Sequence, residues 1–400
     1  MRRAGFIGAT ALSAVAMFIA FGATGMPAST YRNGDFLQFW LQPQALGADV
    51  SPYDPVWWAV MHARLGIHPL FPQAVYPPYD AIVFLPIALL PLAYAAAAWL
   101  VGQLVAVGAV ALLIARRIGV RGQRSVFLAV VAGFQSVWLL VVGGNVTGFL
   151  FAALGAAYIA ALDRRPFRCG VLLGLLVAKP HPFVIVGLAA LACATRTERR
   201  GLVLGALATA APLIVLTAVL HPSWYVEWLP SALGLQGTGG SNATIWTIGR
   251  TFGSQSPLAG AAIALALIAA LAVWLRRARP SLGVAIAAAI PVSLAVAPHG
   301  WSYDQLQLLI PIAFVLDRIG TLPSRARAIA LTAIALGAST LPWLLYVVAF
   351  RRGGEELSVL TPIAVFAAVL LVPRASVEAP GQRRSARLYH GATLRRGGSA

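Results

Sequence analysis

Charged residues are scarce in this chain. Asp, Glu, Lys and Arg together make up 10% of its 400 residues, whereas hydrophobic residues make up 59%. A soluble globular domain carries about 25% charged residues, because its surface must be solvated. The composition therefore excludes an ordinary soluble domain and predicts a polytopic membrane protein.

Cysteine and lysine are rarer still, and the usual cofactor motifs are absent. The chain has two cysteines, Cys169 and Cys193, and a single lysine, Lys179. Both cysteines lie beside basic clusters, so we expect reduced structural thiols rather than a disulfide or a cysteine metal site. The sequence contains no Walker A loop, no HExxH helix and no Asp-x-Asp triplet. We therefore expect no cofactor and no bound metal ion.

Arginine accounts for most of the charge that is present. The formal net charge of +18 would by itself be compatible with nucleic-acid binding. The arginines, however, lie in short clusters between apolar runs and at the C-terminus, as the positive-inside rule predicts for cytosolic loops. We therefore expect membrane lipids, and no nucleic acid, among the partners.

The apolar runs and arginine clusters predict a single all-α transmembrane domain over residues 1–373, with a disordered basic cytosolic tail over 374–400. We expect a bundle of about 11–13 membrane helices, short or re-entrant ones included, in a bacterial inner membrane with both termini cytosolic. External loops are predicted at 28–80 and 221–255. Spans are expected at about 5–27, 125–142, 147–162, 201–220, 257–275, 281–297, 305–317, 328–349 and 358–373.

Two segments fit a simple span poorly. Residues 81–115 are too many for one helix across a hydrocarbon core, so we expect the Leu90-Pro91 step to divide them into a short re-entrant or tilted helix and a full span. Residues 169–194 start and end beside cytosolic clusters. Two half-length helices that meet at Lys179-Pro180-His181-Pro182 would satisfy this constraint.

Most acidic residues fall in the predicted external loops, and Asp35 is the first of them. It follows the first apolar segment and lies among aromatic residues, where partial burial would raise its pKa. A carboxylate there could take a proton from a hydroxyl nucleophile. The alternative is that Asn33 or Asp35 caps a short amphipathic helix. Later in the same loop, Asp49 and Asp54 fit turn and cap roles before a helix on the membrane surface.

Lys179 is the main candidate for binding an anion. An ionisable group at membrane depth indicates a functional site, and a compact ammonium suits a phosphate or diphosphate. His181 could donate a second hydrogen bond, and Arg250 in the second external loop could also pair with a phosphate. The alternative for Lys179 is a snorkelling side chain that stabilises the tip of the hairpin.

The stretch from Pro298 to Asp304 brings an imidazole, an indole, a phenol and a carboxylate together in one external turn. His299 and Trp301 would suit a sugar, since aromatic planes stack on sugar rings and a histidine can bind hydroxyl or phosphate groups. The alternative is an interfacial aromatic belt with Asp304 as a helix cap.

With these residues in view, the chain resembles the DUF2029 group, glycosyltransferase family 87, of the GT-C superfamily. The resemblance covers most of residues 5–350. Its motifs are Gly34-Asp35-Phe36 with Trp40, the stretch from Gly47 to Tyr53, Tyr76-Pro77-Pro78, Gly143-Gly144-Asn145, Lys179-Pro180 and Pro298-His299-Gly300-Trp301.

The resemblance implies a membrane enzyme of GT-C architecture that takes a hexose, often mannose, from a polyprenyl-phosphate carrier. By this analogy Asp35 is the general base, Lys179 and His181 hold the carrier phosphate, and His299 with Trp301 lines the sugar or acceptor site. Tyr76 and Asn145 are further candidates for sugar or acceptor binding.

Our hypothesis from the sequence is an inverting hexosyltransferase whose active site faces the periplasm or the cell exterior. Its partners would be a polyprenyl-phosphate sugar donor and a lipid or glycan acceptor of the envelope. The alternative, from a different class, is a transporter or flippase of lipid-linked saccharides, since a broken hairpin with a central lysine would also suit a substrate path.

Overall fold

The computed structural model describes residues 15–372, apart from residues 17, 25, 32, 33, 70, 238–241 and 253–257. All regular secondary structure within these residues is helical. Residues 5–14 of the first predicted span and the predicted tail at 374–400 lie outside the described part of the chain.

The helices follow one another with short connections. The first half of the chain contains α1 (Met26–Thr30), α2 (Phe36–Ala48), α3 (Pro55–Arg64), α4 (Asp80–Val83), α5 (Leu85–Ala88), α6 (Leu92–Ala115), α7 (Arg121–Gly133), α8 (Gln135–Gly143) and α9 (Thr147–Leu162). The second half contains α10 (Pro166–Gly174), α11 (Val184–Cys193), α12 (Arg196–Leu220), α13 (Ser223–Gly237), α14 (Leu258–Ala278), α15 (Leu282–Val296), α16 (Leu309–Ile319), α17 (Ser324–Arg352) and α18 (Leu360–Leu371). Short 3-10 helices lie at Leu175–Ala178, His181–Phe183, Ile245–Phe252, Ser302–Leu308 and Glu356–Val359.

Several of these helices have the length and composition of membrane spans. In the described residues, α6, α7 with α8, α12, α14 and most of α17 are each long and apolar enough to cross a membrane. Five shorter apolar helical segments accompany them, among them α9 and α15. The chain is therefore a multi-pass helical membrane protein.

The break expected before α6 is present, and its cause is visible. Pro91 precedes α6 in an extended conformation, so the helix starts one residue after the proline. Two four-residue helices, α4 and α5, stand where one short helix was predicted, and Phe84 joins them in a conformation that is not helical.

The second predicted break, between residues 178 and 184, also forms. α10 tightens into the 3-10 helix Leu175–Ala178, the chain turns at Lys179, and the 3-10 helix His181–Phe183 leads into α11. Because Pro180 and Pro182 donate no backbone N–H, neither half can continue through this point. The tip of the hairpin is therefore irregular backbone, in which Lys179 and Pro182 are buried and Pro180 is exposed.

Burial distinguishes the central helix from the peripheral ones. In α15, thirteen of fifteen residues are buried, whereas only three of the twenty-five residues of α12 are. In a membrane, a helix that is apolar on all sides packs through small side chains, and α15 is rich in alanine. α15 packs against α9, α11, α14 and α18, and it forms the centre of the bundle.

The loops 28–80 and 221–255, which were predicted to be external, contain more helix than the sequence suggested. α13 occupies much of the second loop, and its residue Trp224 is buried in one cluster with Trp58 of α3. Glu227 accepts a short hydrogen bond from Ser51, and the indole of Trp228 donates to the carbonyl of Val75 at 3.1 Å. The two loops thus pack together over one end of the bundle.

Candidate active site

A cavity of about 210 Å³ lies against the loops 28–80 and 221–255, which contribute part of its lining. Its lining combines a carboxylate, an ammonium, two imidazoles and several aromatic rings, with Trp228 and Val75 among the walls. Of the eight site residues predicted from the sequence, six line this one cavity: Asp35, Tyr76, Lys179, His181, His299 and Trp301. They come from four separate segments of the chain, so only the fold brings them together.

Asp35 stands at the start of α2 but does not cap it. Its side chain makes no cap hydrogen bond, and Oδ2 instead accepts from Asn145 Nδ2 at 2.7 Å and from the Tyr303 hydroxyl at 3.1 Å. The capping alternative is therefore wrong for Asp35, while Asn33, the other candidate cap, lies outside the residues that the structure describes. The carboxylate is held by two neutral donors and faces the cavity.

Glycines allow the Asp35 loop to approach the 143–145 turn. A Cβ at Gly34 would lie 2.4 Å from the carbonyl oxygen of Gly143. Gly144 has a φ of +62° and would place a Cβ 2.8 Å from that of Phe36. A side chain at Gly34 or Gly144 would push the loop away from the turn, so the Gly-Asp-Phe and Gly-Gly-Asn motifs fit each other.

Asn145 is behind the cavity wall rather than in it. Besides Asp35, its Nδ2 donates to the Tyr76 hydroxyl at 3.1 Å, and its Oδ1 accepts from the backbone N–H of Thr147 at 3.1 Å. The side chain is fully buried. The structure thus places Asn145 where it orients Asp35 and Tyr76, both of which line the cavity, while Asn145 itself is not among the lining residues.

Lys179 is paired and buried at the tip of the hairpin. Its Nζ lies 2.6 Å from Asp304 Oδ1 and 4.9 Å from the centre of the Tyr303 ring. The residue is 4% exposed, so the snorkelling alternative is wrong. A buried lysine with one carboxylate partner keeps further N–H donors for a ligand in the cavity.

Asp304 fulfils two roles at once. Its Oδ2 accepts from the backbone N–H of Trp301 at 3.1 Å, which caps the 3-10 helix Ser302–Leu308 as one alternative expected. Its Oδ1 binds Lys179 and also lies 3.1 Å from the Thr147 hydroxyl. The turn therefore supplies the counter-ion of the only lysine.

The two histidines present nitrogen atoms without protein partners. Trp301 Nε1 donates to His299 Nε2 at 2.8 Å, and neither His299 Nδ1 nor His181 Nε2 has a hydrogen-bond partner among the described atoms. The two rings meet edge to face, with centroids 6.2 Å apart. Burial, together with the charge of Lys179, lowers the pKa of His299 to about 4. It is therefore a neutral imidazole at neutral pH.

The two carboxyl groups of the site have opposite pKa shifts. Burial raises the pKa of Asp35, an effect that Asn145, Lys179 and Tyr303 only partly offset. Burial would also raise the pKa of Asp304, but Lys179 and the Trp301 N–H outweigh it and lower that pKa. Asp35 is thus the carboxylate that can exchange a proton, while Asp304 stays ionised.

Sequence reasoning missed three residues that complete this arrangement: Tyr303, Asp304 as an ion-pair partner, and Thr147. One signal was available for Asp304, because a single buried lysine needs a counter-ion and the whole chain has only twelve acidic residues. The side chain of Arg250 lies outside what the structure describes. Within the described residues, no group of three or more His, Cys, Asp or Glu side chains could hold a metal ion.

Comparison with known proteins identifies a family for this arrangement. The family model of glycosyltransferase family 87 matches residues 74–298, more than half of the chain. Tyr76, Asn145, Lys179 and His181 lie within the match, while Asp35 and the turn at 299–304 lie outside it. No curated protein matches the chain. Among solved structures, the crystal structure of ArnT from Cupriavidus metallidurans bound to undecaprenyl phosphate is similar, with 13% identity, coverage of 89% of this chain and 75% of that chain, and a TM-score of 0.43.

Proposed function

Because the chain belongs to glycosyltransferase family 87, we propose that it transfers a hexose from a polyprenyl-phosphate carrier to a lipid or glycan acceptor of the cell envelope. Mannose is the first hexose to test. The transfer takes place at the outer face of a bacterial inner membrane, toward which the cavity and the two external loops face. Both termini are cytosolic in this proposal.

One observation supports the proposal: Asp35, Lys179 and His181 line a single cavity. We assign Asp35 as the proton acceptor and Lys179 with His181 as the phosphate-binding groups. A glycosyl transfer from a phosphate carrier needs both groups, one at the attacking hydroxyl and one at the leaving oxygen.

The bond changes follow from this placement. Asp35 takes the proton of an acceptor hydroxyl, whose oxygen attacks the anomeric carbon of the donor sugar. The bond between that carbon and the phosphate oxygen breaks, and its electron pair stays on the phosphate. A single displacement of this kind inverts the anomeric centre. Asp304 offers no competing nucleophile, since it is paired with Lys179.

The leaving phosphate gains charge as the bond breaks, so the transition state is more anionic than the bound donor. Lys179 meets that charge in a water-poor cavity, and electrostatic help of this kind is worth about 3–4 kcal/mol in other enzymes. His181 can add a hydrogen bond through its free Nε2. Arg250 is a further candidate for the phosphate, and His299, Trp301 and Tyr76 are candidates for the sugar or acceptor.

The lipid tail sets the route of entry. A polyprenyl chain carries many apolar groups, each worth about 0.8 kcal/mol on leaving the hydrocarbon phase. The carrier therefore stays in the bilayer and reaches the cavity laterally, between helices.

A reconstituted transfer assay tests the proposal. Purified protein in liposomes would be given radiolabelled polyprenyl-phosphate mannose and an envelope lipid extract, and the product's anomeric configuration would be determined. We expect an inverted product from the wild type and from Asp54→Asn, a matched change in an exposed cap, and none from folded Asp35→Asn.

Undiminished transfer by Asp35→Asn would refute the assignment of the base. Absence of transfer by the wild type, together with movement of the labelled lipid between leaflets, would favour the flippase alternative.

A further inference from the structure

A continuous chain of polar contacts joins Asp35 and Lys179, which both line the cavity. It runs from Asp35 through Asn145 and Thr147 to Asp304 and ends at Lys179. The Asn145 amide donates to Asp35 at 2.7 Å, the Thr147 hydroxyl contacts Asn145 Oδ1 and lies 3.1 Å from Asp304 Oδ1, and Lys179 binds that same oxygen at 2.6 Å. Thr147 is fully buried, so no solvent interrupts the chain.

Thr147 is the residue at which this series of hydrogen bonds can rearrange. Its hydroxyl has one proton and two oxygens within reach, Asn145 Oδ1 and Asp304 Oδ1. One proton serves one strong hydrogen bond at a time. Lys179 already satisfies Asp304 Oδ1 in the present arrangement, which leaves the proton free to favour Asn145.

We propose that Thr147 and Asp304 are positioning residues that couple the basicity of Asp35 to an anion at Lys179. This inference rests on the proposed function, in which Lys179 meets the donor phosphate. An anion that draws the ammonium away leaves Asp304 Oδ1 in need of a donor, and the Thr147 proton moves toward it. Asn145 then donates less strongly to Asp35, so the base strengthens only when the donor is in place.

The charged and titratable groups that face Asp35 are Lys179, Asp304, Tyr76 and Tyr303. An anion beside Lys179 raises the pKa of Asp35 directly by repulsion, whether or not Thr147 takes part. The coupling is therefore that part of the anion-induced rise in the pKa of Asp35 that depends on the Thr147 hydroxyl. Thr147→Val removes the hydroxyl at nearly constant shape, and Thr147→Ser keeps it.

Infrared titration of the purified protein in detergent tests the coupling without turnover. The carbonyl band of protonated Asp35 is assigned by its loss in Asp35→Asn, and its midpoint is measured with and without a short-chain isoprenyl monophosphate. We expect Thr147→Val to raise the midpoint of the anion-free protein by about half a pH unit. We also expect the anion to raise that midpoint less in Thr147→Val than in wild type, and Thr147→Ser to resemble wild type in both respects.

Equal anion effects in Thr147→Val and wild type, or equal behaviour of the valine and serine variants, would overturn the proposal. Thr147→Ala replaces the valine variant if the latter does not fold. Because the band reports on protonation alone, a protein with the expected titration but no transfer of any sugar would refute the proposed function and leave the coupling standing.

Discussion

Asp35 is half-buried and Asp304 is buried; the two carboxyl groups lie three contacts apart along one series of hydrogen bonds, and they differ in their partners. Asp35 accepts from an amide and a phenol, both neutral. Asp304 accepts from an ammonium and a backbone N–H. Burial therefore raises the pKa of Asp35 despite these hydrogen bonds, whereas at Asp304 the contact with Lys179 outweighs burial and lowers the pKa.

This difference assigns the roles of the two groups. A site that separates the pKa values of two carboxyl groups has one that exchanges protons and one that stays charged. Here the exchanging group faces the cavity, and the charged one stands behind the lysine and fixes its position. Substitutions that disturb Asp304 and its partner Lys179 should therefore affect stability, whereas substitutions at Asp35 and its partners should affect proton exchange.

The largest effect is expected when the ion pair between Lys179 and Asp304 is broken. Lys179→Met leaves Asp304 ionised and unpaired in a buried place, and breaking such a pair costs about 3–5 kcal/mol of stability. The double variant Lys179→Met/Asp304→Asn removes both charges and should recover most of this loss. Thermal unfolding in detergent would compare the three proteins. A double variant as unstable as the single one would contradict the pairing.

The next effect concerns Asp35, the carboxyl group that exchanges a proton, and its contribution to stability at different pH. The folded protein binds the Asp35 proton more tightly than the unfolded chain does, so ionisation of Asp35 lowers stability as the pH rises toward its raised folded-state pKa. The loss is about 1.4 kcal/mol for each unit by which the pKa is raised. Asp35→Asn abolishes this titration. We expect its unfolding midpoint to exceed that of wild type above that pKa, and identical pH profiles of stability would count against the assignment.

A smaller effect should appear in the pH dependence of transfer. The base must be ionised, so kcat/KM falls as the pH drops through the pKa of Asp35. Tyr303→Phe removes a hydrogen bond worth about 1 kcal/mol that favours the carboxylate. The acidic limb should therefore move to higher pH by less than about one unit. A limb that stays in place or moves to lower pH would argue against contact between Tyr303 and the base.

The smallest effect serves as a reference outside the site. Asp54 accepts a hydrogen bond from the backbone N–H of Val56 at 2.8 Å and caps α3. Asp54→Ala should reduce stability by about 1 kcal/mol and leave the rate of transfer unchanged. A large loss of transfer would show that the external loop contributes more to the site than its contacts indicate.

Much of the architecture could be predicted from local sequence. The break at Pro91 and the irregular hairpin tip follow from the chemistry of proline, which acts within a few residues. Asp54 was recognisable as a cap from the Asp-Pro pair that starts α3. The spans predicted at 147–162, 257–275 and 281–297 agree with helices of the structure to within a few residues, whereas the span predicted at 125–142 is divided at Phe134 and that at 305–317 begins in the 3-10 helix Ser302–Leu308.

The ion pair and the packing of the loops were harder to predict. Lys179 and Asp304 are separated by 125 residues, and no local pattern records which acidic residue meets a given lysine. α13 was missed because Pro230 falls within it and its residues show little helical periodicity. The buried faces of the apolar helices could not be predicted either, because lipid-facing and core-facing positions carry the same residue types.

The most direct test of the account compares Asp35→Asn with Asp304→Asn for both transfer rate and unfolding midpoint. The account predicts that Asp35→Asn folds with an undiminished midpoint near neutral pH and loses about 10²–10⁴-fold in rate. It predicts that Asp304→Asn unfolds at a lower temperature, because Lys179 is left buried and unpaired, while its folded fraction still transfers sugar faster than Asp35→Asn does. The opposite outcome, a stable but inactive Asp304→Asn and an active Asp35→Asn, would contradict it.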